Sequence, residues 1–231
     1  MGVCRLLKIR ELIALRCKPV IAGGAIMLVA ITLGVGLSAQ APAAIREKVT
    51  CYGKWRWNIK TLADKPKLTI RHAEVQVSQL WGLESGETLN KTTPRIAGLE
   101  TTIYTVTGKL TYARRVDDQP DAEGKGGGDL DYHLVIADPK DTSKTMIVEF
   151  PDPNCTTGAT SYRRKQMAAA RTAFELGCHG APRSSFGNLT GTATITGVGF
   201  YDEPHANGRS LHGVELHPVL GFKTSNCWWM P

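Results

Sequence analysis

From residue 101 onward, apolar and polar positions alternate with a period of two. Thr101 to Val116 is rich in Thr, Tyr, Ile and Val and reads as one long strand through Ile103, Tyr104, Val106 and Leu110. After a Pro- and Gly-containing loop at 117–128, Tyr132, Leu134 and Ile136 alternate with Asp131, His133 and Val135 as a second strand. Met146, Val148 and Phe150 alternate with Ile147 and Glu149 as a third, stopped by Pro151 and Pro153. Between Ser161 and Leu176 the period lengthens: Arg163, Arg164, Lys165 and Arg171 stand against Met167, Ala168, Ala170 and Phe174, an amphipathic helix ended by Gly177. Two further strands run over Thr190–Tyr201 and His212–Phe222.

Three strands, a helix and two strands is the element order of an OB-fold, so the predicted fold is mainly β. It is a five-stranded OB-like barrel with one helix between the third and fourth strands. A β-sandwich with an inserted helix is the structural rival, but it needs seven or more strands. Before residue 101 the pattern is weaker. Tyr52, Trp55 and Trp57 alternate with polar residues as a short strand, and one short helix falls near 73–82.

Residues 20–37 carry no charge and follow a basic stretch, the arrangement of an export signal. At about 1.5 Å per residue the run spans roughly 27 Å, long enough to remain as a single N-terminal membrane anchor. Ala39-Gln40-Ala41 and Leu37-Ser38-Ala39 are the two candidate cleavage sites. The expected organisation is an export signal or signal-anchor over 1–41, an N-terminal extension packing on the barrel over 42–100, and the barrel over 101–231. Either fate of the apolar segment delivers the rest to a periplasmic, cell-surface or secreted location.

Of the formal charge of +7, Arg5, Lys8, Arg10, Arg16 and Lys18 against Glu11 supply four, leaving 23 basic and 20 acidic residues beyond them. That balance gives no dense cationic footprint for a polyanion. Cys51, Cys155, Cys178 and Cys227 form an even set after the export segment, with three possible pairings. The expected pairs are Cys155–Cys178, across the helix, and Cys51–Cys227, across the two ends of the exported chain. Without any Cys-x-x-Cys pair, a zinc site made of these cysteines is the weaker reading.

Several segments resemble a family of exported bacterial proteins, mostly called hypothetical. They are Arg56-Trp57-Asn58-Ile59-Lys60-Thr61, Leu99-Glu100-Thr101-Thr102-Ile103-Tyr104, Asp131-Tyr132-His133-Leu134-Val135-Ile136-Ala137-Asp138, Met146-Ile147-Val148-Glu149-Phe150-Pro151, Gly197-Val198-Gly199-Phe200-Tyr201-Asp202 and Gly213-Val214-Glu215-Leu216-His217-Pro218-Val219-Leu220. The resemblance covers most of 55–223. It implies an exported address and names no activity.

Strand parity yields the candidate chemistry. With Tyr132, Leu134, Met146, Val148, Val214 and Leu216 facing the interior, Asp131, His133, Glu149, Glu215 and His217 all point outward. In an OB barrel the second, third and fifth strands are consecutive neighbours, so two imidazoles and three carboxylates share one surface, where they suit a divalent metal ion or acid–base work. His205 and His212 on the preceding loop are possible additional ligands. The plainer reading is a row of cross-strand polar pairs on a solvated face. Tyr52, Trp55, Trp57, Trp228 and Trp229 would form an aromatic cluster under a Cys51–Cys227 bridge, suited to stacking an oligosaccharide or oligonucleotide. Gly124–Gly128 lacks the ending of a phosphate loop, and no Gly-x-Ser-x-Gly or His-Glu-x-x-His is present. The reading is thus a disulfide-stabilised binding module of the cell envelope. Its alternative is a metal-assisted hydrolase, a phosphodiesterase or nuclease, using the His/carboxylate set.

Overall fold

Strands form where apolar residues recur at every second position, because a pleated strand sends successive side chains to opposite faces. The computed structural model describes residues 51, 55–71, 74–116, 129–203 and 208–231, within a compact unit spanning Arg46–Pro231. In chain order the elements are α1 (Trp57–Lys60), β1 (Thr69–Ile70), α2 (Val77–Trp81), β2 (Thr102–Arg115), β3 (Tyr132–Ala137), β4 (Thr145–Phe150), α3 (Ser161–Gly177), β5 (Gly187–Thr190), β6 (Thr192–Tyr201), β7 (Val214–Thr224) and β8 (Trp228–Trp229). Five strands close into a barrel: β2 pairs with β3, β3 with β4, β4 with β7, β7 with β6, and β6 back with β2. Within this ring only the β4–β7 pair is parallel. β1 lies parallel on the start of β2, β5 pairs with its far end at Tyr112 and Ala113, and β8 pairs with β5.

Closure depends on β2, whose 14 residues serve two neighbours. Ile103 to Lys109 pair with β6, and Lys109 to Arg115 pair with β3. The strand turns this corner at Gly108, where an added Cβ would lie 2.8 Å from Ile136 Cδ1, and a register shift follows between Leu110 and Tyr112. Val106, Leu110, Leu134, Ile136, Val148 and Ile195 are buried in the main core. α3 starts where the Thr160 hydroxyl accepts a hydrogen bond from Arg163 N, and it adds Ala170 and Phe174 to that core. The Phe174 ring lies 5.2 Å from Phe150 and 5.4 Å from Phe222. Such aromatic pairs contribute about 0.5–1.5 kcal/mol each beyond their burial.

The structure corrects two local expectations. The chain around Trp55 and Trp57 forms no strand: Arg56 takes a left-handed backbone conformation, φ 46°, and the next four residues are α1. The cysteines pair as Cys51–Cys155 and Cys178–Cys227, with Cα–Cα distances of 5.4 and 4.6 Å, instead of Cys155–Cys178 and Cys51–Cys227. The length of α3 accounts for this. Its 17 residues span about 25 Å and separate Cys155 from Cys178, whereas a disulfide needs its Cα atoms within about 7 Å. Two disulfides fit an oxidising compartment. The apolar run at 20–37, expected as an export signal or anchor, lies outside the described residues, as does the Gly-rich stretch at 124–128. Among the described residues no helix is long and apolar enough to cross a membrane.

Candidate metal centre

Asp131, His133, Glu149, Glu215 and His217 lie on one face of the sheet, and that face is not solvated. His217, Glu215 and Asp131 have no exposure, and Glu149 and His133 only 4% and 6%. The segment carrying α1 lies over them. Arg56 anchors it: its guanidinium meets both carboxylate oxygens of Glu100 at 2.6 Å and donates to the carbonyls of Thr93, Pro94 and Tyr201. Glu100 in turn accepts from Tyr201 N and Ile96 N, so the buried pair is fully hydrogen-bonded. Arg95 fixes the end of the same segment, bonding both oxygens of Asp64 at 2.8 Å and the Ile59 carbonyl. One turn on from Arg56, Lys60 reaches into the cluster.

His133 and Glu149 are cross-strand partners on β3 and β4, and His133 Nδ1 lies 3.0 Å from Glu149 Oε1. The parallel β4–β7 register brings His217 alongside, with Nδ1 3.4 Å from Glu149 Oε2. Asp131, just before β3, places Oδ2 3.0 Å from His217 Nε2, while its Oδ1 accepts from Asp152 N. Lys60 Nζ completes the group at 3.2 Å from Asp202 Oδ2 and 3.5 Å from Glu149 Oε2. Asp131, Glu149 and His217 each offer one ligand atom, and these lie within 4.8 Å of one another. Asp131 Oδ2, Glu149 Oε2 and both ring nitrogens of His217 make no hydrogen bond. Buried polar atoms at such distances ordinarily pair with one another. Here two carboxylate oxygens and an imidazole nitrogen instead face one another within reach of a single cation.

Burial, reinforced by Asp129 and Glu149, pushes the Asp131 carboxyl well above its usual range, and burial with Asp202 and Glu149 does the same to Glu215. Asp129 is raised to about 6, chiefly by burial and then by Glu149. Burial would also raise Glu149, but the Lys60 ammonium and the hydrogen bond from His133 hold it well below the carboxylate norm. The His217 imidazole is pushed down to about 3, above all by burial. At neutral pH it is therefore uncharged, the form that ligates metals. One imidazole nitrogen with two carboxylate oxygens suits zinc or manganese; calcium takes six to eight oxygens.

The buried imidazole also sets an acid limit. The unfolded chain protonates it near 6.5, the folded protein only at about 3, so this contribution is whole above about 6.5 and drains away as pH falls towards 3. In a chelator, the loss of stability between pH 7 and 4.5 is expected to be roughly 2–3 kcal/mol smaller in His217→Gln than in the native sequence. Urea midpoints at the two pH values measure this, and parallel shifts in both proteins would refute it.

The remaining expected residues lie elsewhere. His212 Nε2 is 3.2 Å from Glu84 Oε1 on a cleft of about 710 Å³ lined also by Trp55, Asp202, Arg209 and Leu211. His205 and Tyr52 lie outside the described residues. Trp228 stacks on the His179 ring at 4.1 Å and Trp229 packs near Phe174. Among the described residues no ring contact joins these two to Trp55 or Trp57, since the Cys51–Cys227 bridge that would gather them does not form. Sequence reading missed Lys60, Asp202, Arg56 and Glu100. All four stand in the segments quoted for the resemblance, but no alternation or spacing marks them as site residues. Compared with protein-family models, curated proteins and solved structures, the chain finds no match, and the reading of the centre rests on its own geometry.

Proposed function

We propose that this protein is an exported, disulfide-stapled OB-like binding module of the cell envelope whose barrel is cross-linked by one buried divalent cation. The neighbour order of the five barrel strands supports the OB-like assignment. The two disulfides, the apolar run at 20–37 and the resemblance to exported bacterial proteins support the address, with that run as signal or as membrane anchor. The observation that carries the metal is the convergence of Asp131, Glu149 and His217, whose facing atoms are buried without a hydrogen bond. A hydrolytic metal needs an open position that substrate can reach. With Asp131 and His217 fully enclosed, the ion's role is to tie β3, β4 and β7 together. Ligand binding falls to the Trp55 cleft. There Glu84, Glu87 and Asp202 outnumber Arg209, which disfavours a polyanion and leaves an oligosaccharide as the better occupant than an oligonucleotide.

The test is the thermal midpoint of the oxidised protein in chelator and with zinc, manganese, calcium or magnesium. An ion at about a hundred times its dissociation constant stabilises by about 2.7 kcal/mol, a rise of roughly 5–10 °C for a domain of this size. Zinc or manganese is expected to give that rise and His217→Ala to lose it. A flat response to every ion, or an equal rise in the variant, would sink the metal reading.

A further inference from the structure

We infer that Lys60 is a displaceable counter-ion of this centre: it holds the Glu149 carboxylate when no divalent ion is bound and gives it up to the ion, turning wholly to Asp202. The inference rests on the metal reading above and concerns what governs occupancy of that site. Lys60 is 6% exposed, and its ammonium stands between two carboxylates in unequal ways. To Asp202 Oδ2 it donates a hydrogen bond at 3.2 Å; to Glu149 Oε2 it makes only a charge contact at 3.5 Å, and that oxygen hydrogen-bonds nothing. Glu149 Oε2 is also the oxygen nearest His217 Nδ1, at 3.4 Å, so ammonium and metal contend for one atom.

The side chain has somewhere to go. Asp202 already takes its hydrogen bond, and the Phe200 ring lies 5.5 Å from Nζ and faces the cation. The backbone beneath has no need to follow, because Arg56 and Arg95 pin α1 from both sides through Glu100, Asp64 and Ile59. A lysine suits the task where an arginine does not: its charge is compact and rides on a flexible stem, whereas a guanidinium would fork across both carboxylates and stay. The barrel can therefore close with Lys60 as stand-in charge and take up the ion afterwards. Only a divalent ion offers the carboxylates more charge than the ammonium it replaces.

The test is zinc affinity, measured by calorimetry on the full oxidised chain, for the native sequence, Lys60→Met and Lys60→Arg. Removing a like charge beside the ion is expected to tighten zinc binding by about tenfold or more in Lys60→Met, and a charge that does not yield is expected to weaken it by a similar factor in Lys60→Arg. Zinc binding by Lys60→Met alone would overturn the inference, because the native ammonium would then block the ion instead of yielding to it. If Lys60→Met fails to fold without metal, Lys60→Arg retains the charge and carries the comparison by itself. Native zinc binding with unchanged affinity in the variants, or with both weakened alike, overturns the displacement while leaving the metal centre standing. No binding by any of the three overturns both.

Discussion

Reducing both disulfides is expected to unfold the barrel domain at room temperature. Cys51–Cys155 closes a span of 104 residues and Cys178–Cys227 one of 49. In the chain-entropy account, loops of that length restrict the unfolded state by roughly 5 and 4 kcal/mol. Together these rival the whole stability of an ordinary domain, about 5–15 kcal/mol. Loss of the near-ultraviolet circular dichroism signal in reductant, without denaturant, is the expected readout. An unchanged urea midpoint after complete reduction would contradict it. Peptide mapping of the oxidised protein distinguishes this pairing from Cys51–Cys227 directly.

Arg56→Ala is expected to destabilise the fold by about 3–5 kcal/mol, because it leaves the Glu100 carboxylate buried without its counter-charge. The damage should spread beyond the pair. Arg56 also donates to Thr93, Pro94 and Tyr201 and lies over the Phe200 ring at 5.2 Å, so the cover over the metal centre loosens with it. Arg56→Lys keeps the charge but not the fork and should recover little. Replacing both partners with apolar residues should cost less than Arg56→Ala alone, since no lone charge then remains buried. Urea unfolding of the four proteins measures all of this. A double variant as unstable as the single one would argue that packing of the Arg56 stem, not its charge, holds the segment.

The barrel was legible because each of its strands carries its own local signal. Alternation over Thr101–Val116, Tyr132–Ile136 and Met146–Phe150 became β2, β3 and β4 with ends shifted by a residue or so, and the amphipathic stretch became α3. Parity together with the OB strand order predicts that Asp131, His133, Glu149, Glu215 and His217 share one face. What parity does not encode is whether that face meets water. Its cover comes from residues more than seventy positions earlier, and the contact between Lys60 and Glu149 leaves no periodic trace. α1, β1 and β8 were illegible for a related reason: elements of two to four residues are too short to display a period, and packing decides them. Cysteine pairing leaves no periodic trace either: the expected Cys155–Cys178 bridge would have to span the length of α3, about 25 Å, and the end-to-end Cys51–Cys227 bridge falls with it.

The observed bridges also give the molecule an unusual covalent connectivity. A cut between Val116 and Asp129 divides the chain, but Cys51 and Cys155 stand on opposite sides of it. A cut between Glu203 and Gly208 divides it again, with Cys178 and Cys227 on either side. With both cuts made, the barrel would consist of three polypeptides in series, each joined to the next by one sulfur–sulfur bond. β2 would belong to the first, β3, β4 and β6 to the second, and β7 to the third. Such a molecule runs as one species on a non-reducing gel and as three after reduction, so intactness of the backbone and integrity of the molecule are separate properties here.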